Sequence, residues 1–328
     1  MIGSRTPYRV SFVGGGSDLA EFYNEEPGMV VSVAIAKYIY IFAHPYFDPS
    51  KTLVKYSQTE LVENVADLKH PLVRRALQRT GLSGLDIVSI ADIPGGTGLG
   101  SSSSFTVALL HALYAQRGVF VDHESLAREA SEIEIEDLGA PIGKQDQYAA
   151  AYGGINKITF IKGGDVKVEP VALTAERRNL FHDHLMIFYT GQSRDANVVL
   201  QQQSNALKTK ASPSREYMRG MVALVDPFVS ALVGGNFADC GKLLDEGWQR
   251  KRQLTPGITN SAIDDAYAAG RANGAIGGKL LGAGGGGYLL FIVPPEKRAG
   301  LKAAMSPLKE LGFGFDLHGS SIIFVDNQ

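Results

Sequence analysis

Residues 93–113 read IPGGTGLGSSSSFTVALLHAL, a stretch in which four glycines and then four serines run into an apolar segment. The apolar side chains recur at helical spacing, at positions 105, 108, 109, 112 and 113, and Gly118 follows as a helix-ending residue. A flexible linker would stay rich in glycine and serine throughout. The sequence therefore predicts a turn, a glycine loop and then a helix that begins in the serine run.

Two common nucleotide-binding motifs do not account for the glycines of this chain. Gly282, Gly284 and Gly287 match the spacing GxGxxG, but the strand-like segment YLLFIV follows them where the dinucleotide motif requires a helix. The Walker A motif needs Ser or Thr after Gly-Lys. The three Gly-Lys pairs, at 143–144, 241–242 and 278–279, are followed by Gln, Leu and Leu. The sequence therefore lacks both motifs.

A glycine loop that enters a helix can bind an anion without any lysine. Its backbone N–H groups converge at the helix N-terminus, where the helix dipole adds partial positive charge. An ordinary capped helix would explain one Gly and one Ser, but not four glycines in six positions. We predict that the loop binds phosphate through nine residues: Gly95, Gly96, Thr97, Gly98, Leu99, Gly100, Ser101, Ser102 and Ser103.

The composition is that of an ordinary globular protein and excludes several classes. The 328 residues are 45% hydrophobic and carry a formal net charge of −2, so no positive field attracts nucleic acid or an anionic membrane. The single cysteine, Cys240, permits no internal disulfide, which is typical of a reducing compartment. The N-terminus has no apolar signal segment, and the apolar stretch 30–43 is interrupted by Lys37. We expect a cytoplasmic protein without nucleic-acid or membrane partners.

Predicted strands concentrate in the first half of the chain, and predicted helices dominate residues 197–272. YRVSFVGG, LDIVSIADI, INKITFI and HLMIFYTG have the β-branched and aromatic character of strands. The elements do not alternate as they do in a doubly wound sheet, so the predicted class is α+β. We place a domain boundary where strands give way to helices, with one domain at 1–194 and the other at 195–328.

Four stretches resemble the motifs of the GHMP kinases, and they stand in the order that this family shows. They are PYRVSFVGGGSDL (7–19), PGGTGLGSSSS (94–104), EIEDLGAPIGKQDQYAAAYGG (134–154) and KLLGAGGGGYLLF (279–291). The resemblance covers nearly the whole chain. It implies the GHMP kinase fold, with an N-terminal domain similar to ribosomal protein S5 and a ferredoxin-like C-terminal domain. It also implies ATP and Mg²⁺ as cofactors.

Within the family, GGGSDLAEFY and PIGKQDQYAAAYGG are most similar to kinases of a heptose 7-phosphate. This closer resemblance implies phosphorylation of the anomeric C1 hydroxyl, for the synthesis of GDP-heptose and surface polysaccharide. A fucokinase-like sugar 1-kinase is the alternative within the family. A ligand-binding regulator that has lost catalysis is the alternative outside enzymes. The sequence leaves open whether the protein forms a homo-oligomer.

The resemblance assigns the catalytic and metal-binding residues. Asp146 matches the catalytic aspartate, although an aspartate in this context is also common as a helix cap. Arg9 matches the basic residue that faces that aspartate and keeps it ionised. Glu134 matches the Mg²⁺-binding glutamate. Ser101 and Ser102 are both candidates for a second Mg²⁺ ligand, because the serine run can be aligned in two ways.

The resemblance also indicates which residues contact the sugar. Asp18 matches an aspartate that binds sugar hydroxyls. Galactokinases carry Glu and His where this chain has Gly15 and Gly16, which argues against galactose and leaves room for a longer sugar. Arg194 and Lys144 follow glycine turns and are our candidates for binding the phosphate of the acceptor. The complete predicted acceptor set is Gly15, Gly16, Ser17, Asp18, Lys144, Arg194, Gly284 and Gly285.

Overall fold

Two β-sheets organise the part of the chain that the computed structural model describes, residues 1–191, 196–209, 211–306 and 308–326. The strands are β1 (Ile2–Ser11), β2 (Gly28–Pro45), β3 (Thr52–Lys55), β4 (Thr59–Val62), β5 (Leu85–Ala91), β6 (Ile155–Phe160), β7 (Val166–Pro170), β8 (Leu185–Tyr189), β9 (Gly277–Leu280), β10 (Tyr288–Ile292), β11 (Lys309–Glu310) and β12 (Ser321–Val325).

The helices pack on these sheets and between them. They are α1 (Ala20–Tyr23), α2 (Pro71–Thr80), α3 (Ser101–Gln116), α4 (His123–Ser131), α5 (Gln145–Tyr152), α6 (Ala175–Asp183), α7 (Ala196–Lys208), α8 (Pro213–Val222), α9 (Val225–Gly234), α10 (Phe237–Lys251), α11 (Ser261–Ala272) and α12 (Arg298–Ala304). A π-helical turn, Glu132–Asp137, continues α4, and short 3₁₀ turns span Val65–Asp67 and Pro295–Lys297.

The first sheet has eight strands in the order β12-β1-β2-β5-β3-β4, with β6 beside β2 and β7 beside β6. β2 serves several neighbours because it is 18 residues long. Its first part pairs with β6, its second part pairs with β5, and β1 pairs along both parts. β3 and β5 are parallel, whereas the other pairs of this sheet are antiparallel. The long strand β2 therefore connects the two halves of the sheet.

Helix α3 is held against the first sheet along its whole length. Its residues are buried on nearly all sides, as expected for a helix enclosed by a core. Two buried serine hydroxyls join it to β1: Ser4 Oγ donates to Ala108 O at 2.7 Å, and Ser104 Oγ donates to Pro7 O at 2.8 Å. The bond from Ser104 holds the first turn of α3 beside Pro7, and the bond from Ser4 holds the middle of α3 beside the start of β1.

The second sheet has four strands in the order β11-β8-β10-β9, and α10 and α11 pack against it. Helix α10 approaches β9 at backbone distance, because a Cβ atom added to Gly277 would lie 1.8 Å from Gly241 O. The buried side chains of Trp248, Leu280 and Phe291 belong to the core between these elements. The C-terminal end of α10 and the end of β9 are thereby held on the same side of the molecule.

The predicted α+β class is confirmed, and two strands cross the predicted domain boundary. β8 precedes residue 194 but pairs with β10 in the second sheet. β12 follows residue 195 but pairs with β1 in the first sheet. The domain boundary at 194/195 stays a proposal, because β8 and β12 each pair with a strand on the other side of it.

One helical stretch, Pro213–Gly234, is long and apolar enough to span a membrane by composition alone. It comprises α8 and α9, and Met218, Met221 and Phe228 from these two helices are buried in the hydrophobic cores. A core helix passes the same length and composition test, so this stretch is weak evidence for a membrane location.

Candidate active site

The four quoted stretches meet around one cavity of about 520 Å³. Its wall is formed by β1 and the loop after it, the N-termini of α2, α3 and α5, the π-helical turn, α7, the end of α10 and the end of β9. The predicted residues that line it are Arg9, Gly15, Gly16, Asp18, Gly96, Gly98, Gly100, Ser101, Ser102, Ser103, Glu134 and Asp146. The structure therefore brings residues from three separate parts of the sequence to one place.

The glycine loop forms the wall beside the N-terminus of α3. Gly96, Gly98 and Gly100 have φ angles of 75°, 85° and 79°, a region that other residues enter only with strain. Gly100 occupies the N-cap position, and no side chain caps the helix there. The first N–H groups of α3 are thus without a side-chain acceptor, which suits an anionic ligand.

Three residues of the predicted phosphate loop lie outside the cavity wall. The Thr97 hydroxyl donates to Pro94 O at 3.1 Å, and Leu99 is fully buried in the core. Gly95 is exposed. Thr97 and Leu99 alternate with the three cavity-lining glycines, so their side chains anchor the loop while the glycine backbone faces the cavity.

The glycines of the last motif pack against this loop. A Cβ atom on Gly98 would lie 2.7 Å from Leu281 O, and one on Gly282 would lie 2.4 Å from the Cα atom of Gly98. A Cβ atom on Gly287 would lie 2.4 Å from Thr97 O. The two glycine clusters therefore touch backbone to backbone, and neither has space for a side chain at these positions.

Arg9 and Asp146 form a bidentate ion pair at the centre of the cavity. Arg9 Nε lies 2.6 Å from Asp146 Oδ1, and Arg9 Nη2 lies 2.6 Å from Asp146 Oδ2. The third nitrogen, Arg9 Nη1, donates to Gly98 O at 2.8 Å. A Cβ atom on Gly100 would lie 3.1 Å from Asp146 Oδ2, so the carboxylate sits directly beside the start of α3. The N-cap position of α5 belongs to Lys144, so Asp146 is not the helix cap.

Glu134 lies in the π-helical turn, a distortion that is frequent at functional sites. Its Oε1 atom accepts a hydrogen bond from Ser102 Oγ, and its Oε2 atom accepts one from Gln147 Nε2, both at 2.5 Å. Burial raises the pKa of Glu134, and these hydrogen bonds oppose that rise only in part. In the described ranges no Lys or Arg forms an ion pair with Glu134.

These oxygens suit Mg²⁺, which prefers one or two protein oxygens together with phosphate oxygens and water. A buried carboxylate without a basic partner is costly, and a divalent cation would offset that cost. Within the described part of the chain, no cluster of three or more His, Cys, Asp and Glu side chains could hold a metal alone. Ser102 faces Glu134, whereas the Ser101 hydroxyl accepts from Gly96 N at 3.4 Å. This geometry favours Ser102 over Ser101 as the second ligand.

Asp18 is buried at the other end of the cavity and accepts three hydrogen bonds. Its Oδ1 accepts from Gly16 N at 3.0 Å and from Gln145 Nε2 at 3.1 Å, and its Oδ2 accepts from Gln145 N at 3.1 Å. Burial is the main cause that raises the pKa of Asp18. A Cβ atom on Gly143 would lie 2.0 Å from Oδ2, so glycine is required there. Gln145, which sequence reasoning missed, fixes the orientation of Asp18.

Four predicted acceptor residues do not line the cavity, and their contact with the acceptor stays a prediction. The Ser17 hydroxyl donates to Gly14 O at 2.8 Å and holds the turn, and Lys144 Nζ donates to Gly164 O at 3.1 Å. Gly284 and Gly285 are buried against the backbone of Ile258. In this structure Gly284 and Gly285 contribute to the packing between loops. Arg194 lies outside the described residues.

Two buried lysines that sequence reasoning missed line the cavity. Lys279 Nζ donates to Ser11 O at 3.0 Å and to Phe12 O at 2.9 Å, and Lys251 Nζ donates to Gly282 O. Burial lowers the pKa of Lys251 to about 8 and lowers that of Lys279 well below its usual value. Lys279 is the first residue of the last quoted motif, and this position could have indicated it from the sequence. Lys251 lies in the basic run QRKRQ, where no pattern distinguishes it from its basic neighbours.

Two family models match the chain. Residues 60–154 match the N-terminal domain of the GHMP kinases, and residues 228–307 match their C-terminal domain. D-glycero-alpha-D-manno-heptose 7-phosphate kinase of Campylobacter jejuni is 27% identical over 95% of this chain and 94% of its own length. The bifunctional fucokinase/GDP-fucose pyrophosphorylase of Arabidopsis thaliana is 26% identical over 89% of this chain and 30% of its own length.

The fold is shared with solved structures. The crystal structure of a D-glycero-D-manno-heptose 1-phosphate kinase from Bacteroides thetaiotaomicron superposes with a TM-score of 0.82 over the full length of both chains, at 23% identity. At that identity the likeness supports the fold, and the chemistry of the acceptor has to be argued from the cavity.

Proposed function

Because the chain belongs to the GHMP kinase family, in which it is a sugar kinase, we propose that it phosphorylates the anomeric C1 hydroxyl of D-glycero-D-manno-heptose 7-phosphate. ATP is the donor, and the products are ADP and the 1,7-bisphosphate. The observation that carries the proposal is the bidentate Arg9–Asp146 pair beside the uncapped N-terminus of α3. A carboxylate beside this helix start supports Asp146 as the base of the proposed reaction.

In the proposed reaction, the phosphates of ATP lie at the start of α3 and against the glycine loop. Asp146 takes the proton of the acceptor hydroxyl while that oxygen forms a bond to the γ-phosphorus, and the bond between this phosphorus and the oxygen bridging to the β-phosphate breaks. Arg9 orients Asp146 through two hydrogen bonds to its carboxylate. Mg²⁺, held by Glu134 and Ser102, would neutralise charge on the phosphates.

The acceptor side of the cavity supports a sugar with a longer tail than galactose. Gly15 and Gly16 line the cavity and add no side chain to it. Asp18 offers a buried carboxylate, fixed by Gln145, for hydroxyl groups of the sugar. The Campylobacter jejuni relative is named for a heptose 7-phosphate, which supports the same acceptor for this chain. We further propose a cytoplasmic location and a role in supplying GDP-heptose for surface polysaccharide.

A fucokinase-like 1-kinase is the second candidate, since the Arabidopsis thaliana relative aligns over most of this chain. The two candidates differ in whether the acceptor already carries a phosphate. A non-catalytic regulator is disfavoured because Asp146, Arg9 and Glu134 are all present in the cavity.

The test is to measure ADP release with heptose 7-phosphate, fucose, galactose and mevalonate as separate acceptors. We expect turnover to be highest with heptose 7-phosphate, and phosphorus NMR of the product should show a new phosphate on C1. Preference for fucose would replace the heptose proposal with the second candidate. No ADP from any of the four would contradict both.

A further inference from the structure

We propose that Lys251 and Lys279 form a phosphoryl-binding site at the junction of the nucleotide side and the acceptor side of the cavity. Both residues line the cavity. The exposed fractions of these residues are 6% for Lys251 and 5% for Lys279. The inference rests on the proposed function only for the question of which phosphoryl group occupies the site.

Neither lysine has an ion-pair partner among the described residues. The carboxylates that act on Lys251 are those of Asp18 and Asp146, and Asp146 is already paired with Arg9. Burying a charge without a partner is strongly unfavourable, and an anionic ligand would offset that cost. Two such amines in one cavity therefore indicate an anionic ligand.

The hydrogen-bonding capacity of the two amines is only partly used. An ammonium group has three N–H donors. Lys279 Nζ donates two of them, to Ser11 O and Phe12 O, and Lys251 Nζ donates one, to Gly282 O. Three donors are left between the two groups, and they suit a phosphoryl group, which offers several strong acceptor oxygens.

The anchoring contacts place the pair between donor and acceptor. Gly282, which holds Lys251, packs on Gly98 of the phosphate loop. Ser11, which holds Lys279, follows Arg9 by two positions on β1 and also donates to Gln145, the residue that orients Asp18. The site thus borders the start of α3 on one side and Asp18 on the other. The transferred γ-phosphoryl group and the phosphate of the acceptor are the two possible occupants, and their chemistry is the same.

The test uses inorganic phosphate titrated into the full-length protein saturated with Mg²⁺ and ADP, which leaves the γ-position open. Lys251→Met removes the charge and retains the length of the side chain. Lys242→Met is the matched control, because Lys242 lies in the same helix with 71% of its side chain exposed. Calorimetry should show at least a tenfold increase in the phosphate dissociation constant for Lys251→Met and no change for Lys242→Met. Equal phosphate affinity in the two variants would overturn the proposal.

A measurement on the unmodified protein keeps the proposal testable if Lys251→Met does not fold. With ¹³C-labelled lysine, the two lysine signals that are shifted farthest from those of exposed lysines should move on addition of phosphate. Unmoved buried-lysine signals at high millimolar phosphate would refute the site.

Steady-state kinetics then distinguish the two occupants. If the acceptor phosphate occupies the site, Lys251→Met should raise the KM for heptose 7-phosphate at least tenfold and leave the KM for unphosphorylated heptose unchanged. If the γ-phosphoryl group occupies it, kcat should fall at least tenfold with either acceptor. Unchanged kinetics with both acceptors would overturn the proposal. Should no heptose be an acceptor, the phosphate titration still decides the site independently.

Discussion

Arg9 and Asp146 lie 137 residues apart in the sequence and share two hydrogen bonds of 2.6 Å. Arg9 comes from the sheet, Asp146 from the first turn of α5, and the glycine loop closes over both through Gly98 and Gly100. The planar guanidinium group fixes the orientation of the carboxylate. This relationship makes Asp146 suitable as a base, and it requires the two motifs to fold together.

The first prediction concerns Asp146. Asp146→Asn should lower kcat by about 10²- to 10⁴-fold, because a positioned general base contributes on that order. The affinity for Mg²⁺ and ATP should persist, since in the proposed reaction the carboxylate acts on the acceptor. Acceptor-dependent ADP release and ATP calorimetry measure the two effects. Asp226→Asn, at a side chain that is 66% exposed, is the control. A fully active Asp146→Asn would exclude it as the base.

The second prediction separates the two serines. Ser102→Ala should increase the Mg²⁺ concentration needed for half-maximal activity, because Ser102 Oγ is the hydroxyl that contacts Glu134. Ser101→Ala should have the smaller effect, since its hydroxyl contacts only Gly96 N in the loop. Mg²⁺ titration of the initial rate at fixed ATP makes the comparison. A larger effect at Ser101 would reverse the assignment.

The third prediction is a pH dependence caused by Glu134. Burial raises the pKa of this carboxyl above its ordinary value of 4.5, so it takes up a proton as the pH falls through that raised pKa. A protonated carboxyl binds Mg²⁺ poorly, and the Mg²⁺ requirement should therefore rise with falling pH at values where an exposed glutamate is still ionised.

Glu134→Gln should bind Mg²⁺ weakly at every pH and lose this dependence. Without Mg²⁺, the ionised form of Glu134 destabilises the native state at neutral pH, and this cost declines as the pH falls through the raised pKa. Thermal unfolding should accordingly show Glu134→Gln gaining stability relative to the unmodified protein at neutral pH but not in acid. A constant difference across pH would contradict the raised pKa.

The fourth prediction tests the contact between the two glycine clusters. Gly98→Ala and Gly118→Ala both place a side chain at positive φ, which costs about 1–2 kcal/mol. A Cβ atom on Gly118 meets nothing within 4 Å, whereas one on Gly98 meets Leu281 O at 2.7 Å. Urea unfolding should show a clearly larger loss for Gly98→Ala, and ATP affinity should fall for that variant alone. Similar losses in both variants would show that the loops have room to separate.

The fifth prediction follows from the buried amine of Lys251. Its pKa is lowered to about 8, so between about pH 8 and its ordinary value of 10.5 the unfolded chain carries a proton that the native protein lacks. The stability of the unmodified protein should therefore rise with pH in that window, relative to Lys251→Met. Below pH 8 the full cost applies, on the order of 3 kcal/mol. Unfolding free energies of both proteins at pH 7 and pH 9.5 measure the difference, and parallel behaviour would contradict the lowered pKa.

Local patterns predicted the local structure around the site well. The glycines are followed by apolar residues at helical spacing, and this pattern predicted the loop and the start of α3. Both features depend only on residues that are close in sequence. The apolar stretch 30–43 lies within the single long strand β2. The meeting of Arg9 with Asp146 was expected from the resemblance of two motifs to a family, and no local pattern could have revealed it.

The cationic part of the cavity could not be predicted in the same way. Lys144 follows a glycine turn, but its side chain turns outward to Gly164. Lys251 lies near the end of a helix whose other basic residues are exposed or half-exposed, and such lysines are usually solvated. Its burial arises because α10 lies along β9, and that contact joins segments with no shared local signal. Which lysine is buried is therefore a property of tertiary packing.

The pairing of β12 with β1 has a consequence for biosynthesis. Ile2 pairs with Val325, so the first half of β1, residues 2–5, has its outer edge covered by a segment that leaves the ribosome more than 300 residues later. Until then this half of β1 is an open edge, which is a template for intermolecular pairing and aggregation. Formation of so distant a contact is also slow. A chain that stalls before β12 would therefore expose this edge, and we expect the nascent protein to depend on chaperones more than its native stability suggests.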